Sequence, residues 1–173
     1  MESTGCPGGP EGMKIIVRVE KRMSTAGSIG RGVLAGIGGT AVMTAFQKVV
    51  EMPLTGRADS YAPAEAAESL LPTRTASPQS RKRLNYLVHF ALGGMWGAAY
   101  GVAASAGLRG QKAVHAVFVT VYTGDVLLNT ASGLYQPKQW SAQDWAIDIV
   151  DKYVQAQATG AVFDRFIDPT RPS

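Results

Sequence analysis

LNYLVHFALGGMWGAAYGVAASAGL, residues Leu84 to Leu108, carries no formally charged side chain and is closed by Arg83 on one side and Arg109 on the other. Its 25 residues, as a helix, can cross a hydrocarbon layer of ~30 Å with some tilt. Gly93, Gly94, Gly97 and Gly101 lie inside it. In water each interior glycine costs a helix roughly 1 kcal/mol relative to alanine. In lipid the peptide group has no alternative partner, so the helix holds. Gly93, Gly97 and Gly101 recur every fourth residue and share one face. Such a seam lets two backbones approach closely, which drives association where there is no water to expel.

Three more segments read outward from this one. Ala113 to Gln136 is a second long apolar run with Asp125 near its middle, and only Arg109 to Lys112 separates the two. So short a connection predicts antiparallel neighbours. Upstream, Ser28 to Val50 contains an uncharged window, Gly32 to Gln47, with Gly32 and Gly36 at GxxxG spacing. That window falls short of the layer, but Lys48 and Glu51 can snorkel and extend it. Downstream, Ser141 to Phe166 opens with Ser141 and Asp144 in the pattern of a capping box. Asp144, Asp148, Asp151 and Lys152 occupy its first half. Alone it reads as a soluble amphipathic helix. Beside two firm spans it reads as a helix whose polar face points into a bundle, or whose first half lies at the interface.

The expectation is therefore an all-α, four-helix integral membrane bundle, with helices at about 28–50, 84–108, 113–136 and 141–166. A polar connection at 52–83 contains APAEAAESLL between Pro63 and Pro72, which predicts a short surface helix. Residues 1–27 read as a flexible tail in which Met13 and Met23 are alternative starts, and 167–173 as a C-terminal tail. The pattern His89-x7-Gly97-x2-Tyr100 returns as Lys152-x7-Gly160-x2-Phe163, which fits a two-plus-two duplication or the chance likeness of glycine-rich helices. Gly32, Gly36, Gly93, Gly97, Gly101 and Gly160 are the expected packing positions.

Composition agrees. Of 173 residues 46% are apolar and 17% charged, too apolar for a disordered chain. A single cysteine, Cys6, excludes a disulfide framework and a cysteine-rich zinc site. The net charge of +4 sits in short clusters beside apolar runs, not along one face with interleaved aromatics, so no nucleic-acid partner is expected. With the N-terminus in the cytoplasm, nine basic residues fall inside and six outside, which favours that orientation.

Ionisable groups within such segments are costly and are functional candidates by default. They are His89, Asp125, Asp148, Asp151 and Lys152, with Asn129 as a polar neighbour. Asp125 and Asn129 share a face, and Asp148, Asp151, Lys152 and Gln155 are expected to share another. Lys152 could neutralise Asp148 in its own helix or Asp125 across the bundle. Two meanings are open: a proton or solute pathway through His89, Asp125 and Asp151, or a neutralised set that holds the helices in register. No HExxH, CxxC, GxSxG or P-loop lysine motif occurs. No catalytic residue, metal or cofactor is expected.

GVLAGIGGTAVMTAFQKVVEMPLTGRADSYAP, running into Lys48, Glu51, Pro53, Leu54 and Arg57, resembles the YagU-like group of uncharacterised bacterial inner-membrane proteins. His89-Phe90 ahead of Tyr100-Gly101 is similar in kind, as is the last Asp-containing helix after Pro137, Trp140 and Asp144. The resemblance covers about residues 30–165 and implies a multi-helix inner-membrane protein, with no site residues to carry over. The expected function is a structural, assembly or envelope-homeostasis role through helix packing, with the lipid bilayer and a second copy or other membrane proteins as partners. A small proton or solute transporter and a soluble all-α interaction module are the alternatives.

Overall fold

Ser24 sets the start of the first helix: its hydroxyl accepts the Gly27 N–H at 3.1 Å, satisfying one of the helix's orphan donors. The computed structural model describes residues 24–70 and 76–168. Residues 1–23 of the expected 1–27 tail, and residues 169–173 of the C-terminal tail, lie outside the described residues, while residues 25–27 of that expected tail already belong to the first helix. Among the described residues the chain is all-helical and contains no strand. Five helices carry it: α1 (Thr25–Thr55), α2 (Ala62–Leu70), α3 (Pro78–Ser105), α4 (Gly110–Ala131) and α5 (Ala142–Val162).

The four long helices run up and down in sequence order. α1 packs on α3 and α5, and α4 packs on the same two. The bundle is thus one ring of helices and does not split into two separate pairs, although the repeated residues Tyr100 and Phe163 do meet, ring centroids 5.2 Å apart. α2 is the short helix of the first connection. Its alanine face is buried against α3 at Ala64 and Ala67, and Asn85 accepts the Ala64 N–H at 3.1 Å.

The helix limits differ from the charge-free runs, for local reasons. α3 starts at Pro78, not 84, because Ser77 caps it, accepting the Ser80 N–H at 3.2 Å, and proline fits a first helical turn. Arg81 to Arg83 mark where apolar surface begins, not where the helix does. It ends at Ser105, and Gly107 turns the chain at φ 92°. α4 ends at Ala131 instead of 136, where Gly133 (φ 75°) closes it. α1 passes position 50 and reaches Thr55 despite Pro53. Proline has no N–H for the Val49 carbonyl and crowds it. The chain widens into a π turn over Gln47–Glu51, with the Met52 N–H reaching the Gln47 carbonyl.

α1 and α3 touch backbone to backbone. A Cβ at Gly97 would lie 2.6 Å from Gly36 N and 2.7 Å from its Cα, and one at Gly101 would lie 2.8 Å from Ile29 Cα. Cβ atoms at Gly32 and Gly36 would run into the carbonyls of Gly97 and Gly93. Gly160 is not in this seam; a Cβ there would lie 2.6 Å from Val114 Cγ2 and 3.2 Å from the Tyr100 ring. Gly39 forms the α1–α5 contact, its Cβ position 2.9 Å from the Gln155 carbonyl.

The interior combines small, aromatic and polar side chains. Among the described residues no leucine or isoleucine is buried, while Ser28, Thr40, Asp151, Gln155 and Thr159 are. Leu34, Met95, Val119 and Leu127 are each more than 60% exposed, one on α1, one on α3 and two on α4. α1 and α3 are long and apolar enough to cross a membrane, and only 28% and 39% of their most apolar windows are covered by protein.

Candidate functional site: a polar cleft at one end of the bundle

The C-terminal end of α1, the start of α3, the connection after α4 and the start of α5 converge at one end of the molecule. They enclose a cleft of about 520 Å³. The π turn in α1 brings Gln47, Lys48 and Glu51 to its wall; α3 supplies Tyr86 and His89; α5 supplies Asp148, Asp151 and Lys152; Tyr135 and Trp140 come from the α4–α5 connection. The capping box at the start of α5 fixes that wall. Ser141 Oγ accepts the Asp144 N–H at 3.1 Å, and Asp144 accepts the Ser141 N–H at 2.9 Å.

Polar residues of α5 at i, i+3, i+4 and i+7 reach two neighbouring helices. Asp148 and Lys152 look toward α4: Lys152 Nζ lies 2.8 Å from Asp148 Oδ1 and 3.2 Å from Asp125 Oδ2. The ammonium also sits 5.5 Å and 5.8 Å from the ring centroids of Tyr122 and Tyr135, a cation–π arrangement. Burial pushes the Tyr135 phenol above its ordinary range, against the opposing effect of the Lys152 charge. Asn129 donates to the Asp125 carbonyl and carboxylate at 2.8 Å and 2.9 Å; neither residue lines the cleft.

Asp151 and Gln155 look toward α1. Gln47 Nε2 donates to Asp151 Oδ2 at 2.6 Å, and Gln155 Nε2 donates to Thr40 Oγ1 at 3.0 Å, which in turn donates to the Gly36 carbonyl. His89 Nε2 lies 3.2 Å from Thr44 Oγ1 at the floor of the cleft. The structure thus gathers His89, Asp148, Asp151 and Lys152 around one space and leaves Asp125 and Asn129 behind it. The sequence reading missed Gln47, Glu51, Tyr86, Tyr135 and Trp140. Only their position at the ends of apolar runs hinted at a shared location.

Below the cleft the bundle is filled. Gly39 abuts Thr159, and the Tyr100 and Phe163 rings lie fully buried further toward the opposite end. The opposite end is tied shut: Tyr100 donates to Asp164 Oδ2 at 2.8 Å, the Gly110 N–H reaches the same oxygen at 3.0 Å, and Arg109 pairs with Asp168 at 2.9 Å. Comparison with protein-family profiles, curated proteins and solved structures returns no match.

Proposed function

We propose that the chain is a multi-pass integral membrane protein in which α1, α3, α4 and α5 all lie in lipid and the bundle acts as a packed helical scaffold. The exposure of leucine and isoleucine around a small-residue interior carries this reading. Among the described residues every leucine and isoleucine is at least partly exposed, and Ser28, Thr40, Asp151, Gln155 and Thr159 are buried beside small, aromatic and a few larger apolar side chains, an arrangement that is stable where the surroundings are as apolar as the side chains. The glycine seam between α1 and α3 and the exposed apolar faces of α4 and α5 support it. A role in membrane assembly or envelope homeostasis follows, exerted through helix contacts with a second copy or other membrane proteins. The resemblance to YagU-like proteins and the Gly/Ala-rich composition support a bacterial inner membrane as its location, and the basic N-terminal region supports a cytoplasmic N-terminus.

Alkaline carbonate extraction tests the placement: the protein should remain in the pellet, and recovery in the supernatant would overturn it. A C-terminal green fluorescent protein fusion should fluoresce, because four spans return the C-terminus to the cytoplasm. Solute handling is the second reading, favoured by the cleft of about 520 Å³. The filled middle of the bundle favours one-sided access over a through conduit.

A further inference from the structure

We infer that the cleft is a binding site for a small primary organic ammonium ion, with Asp151 as its anionic anchor. Asp151 is 7% exposed, and its Oδ1 has no hydrogen-bond partner. Its other oxygen is held by Gln47 at 2.6 Å, which fixes the carboxylate at the cleft wall. Three of the four lysines and arginines that line the cleft are committed elsewhere, and the fourth, Lys82, is exposed. Lys152 lies between Asp148 and Asp125, Lys48 pairs with Asp59 at 3.6 Å, and Arg57 pairs with Asp144 at 3.1 Å. A buried carboxylate oxygen without a partner is a standing free-energy deficit, and Asp151 lines the cleft.

The walls specify what can fill it. Two of the phenol rings already face primary ammonium groups of the chain's own lysines, Lys48 over Tyr86 at 5.8 Å and Lys152 over Tyr135 at 5.8 Å. An alkylammonium head would find a carboxylate and aromatic faces together, the usual surroundings for that charge. A metal ion fits less well. Among the described residues no three His, Cys, Asp or Glu side chains are placed to hold one, and hard cations need several oxygen ligands. The cleft belongs to the fold whether or not lipid surrounds it, so this inference goes beyond the scaffold role and is tested separately from it.

The test is calorimetric titration of the full chain in nanodiscs with n-butylammonium chloride, and with n-butanol as the neutral analogue, at constant ionic strength. Saturable binding of the ammonium at least about tenfold tighter than the alcohol is expected, the size of one charge-assisted hydrogen bond. Equal affinities, or no saturable heat with the ammonium, overturn the inference. Asp151→Asn should lose about the same tenfold with its helical circular dichroism unchanged; an unchanged affinity overturns it too. Should that variant not fold, the ammonium-to-alcohol contrast in the natural chain decides alone.

Discussion

Lys152 shows how much one side chain carries. Its ammonium holds two half-buried carboxylates from different helices, Asp148 at 2.8 Å and Asp125 at 3.2 Å. Replacing it by methionine keeps the volume and leaves two charges uncompensated, a loss of about 3–5 kcal/mol by analogy with broken buried pairs. Adding Asp125→Asn and Asp148→Asn to Lys152→Met should restore much of that stability, measured as the thermal midpoint in detergent. A lost structural role for the pair would show as no rescue. Glycines give the second contrast at this scale. At Gly97 a methyl group would meet Gly36 backbone atoms at 2.6–2.7 Å, whereas nothing lies within 4 Å of one at Gly124. Gly97→Ala should therefore destabilise by about 1–3 kcal/mol. Gly124→Ala should be neutral or stabilising by up to about 1 kcal/mol. Both are read in the same unfolding assay, and equal behaviour would mean that the α1–α3 contact is looser than its geometry.

At the scale of the helices, sequence spacing was informative where one helix meets one partner. Gly93, Gly97 and Gly101 announce a close contact because a four-residue repeat needs no knowledge of the neighbour. Gly160 lies outside that seam and Gly39 makes its own contact with α5, since which helix a glycine meets is decided by tertiary order. The four polar residues at Asp148, Asp151, Lys152 and Gln155 lie over the junction of two neighbouring helices, so α4 takes two and α1 takes the others. The charge-free runs located apolar surface, and they misplaced the ends because caps and proline act on backbone groups that hydropathy does not register. The cap at Ser141 matters beyond its own helix, for it anchors the wall that presents Asp148 and Asp151. Ser141→Ala should cost about 0.5–2 kcal/mol and lower the thermal midpoint. Asp144→Ala should do the same, whereas an unchanged midpoint in both would place the start of α5 under the control of packing alone.

For the whole molecule the decisive property is the sign of its outer surface. Leu34 on α1, Met95 on α3, and Val119 and Leu127 on α4 are 61–65% exposed. On a protein in water a lysine at any of these positions would change stability by no more than about 0.5 kcal/mol. Near the middle of a bilayer each lysine costs roughly 2.5–3.5 kcal/mol of insertion free energy. Leu34→Lys and Leu127→Lys are therefore expected to lower the carbonate-resistant fraction sharply, and the double variant to abolish it. Gln143→Lys, at an exposed position in the first turn of α5 at the cleft end, should leave that fraction unchanged, because in the proposed membrane placement that position meets headgroups and water. If Leu34→Lys and Gln143→Lys behave alike and both proteins stay folded, the apolar exterior faces water or another protein, and the four helices do not share a lipid environment.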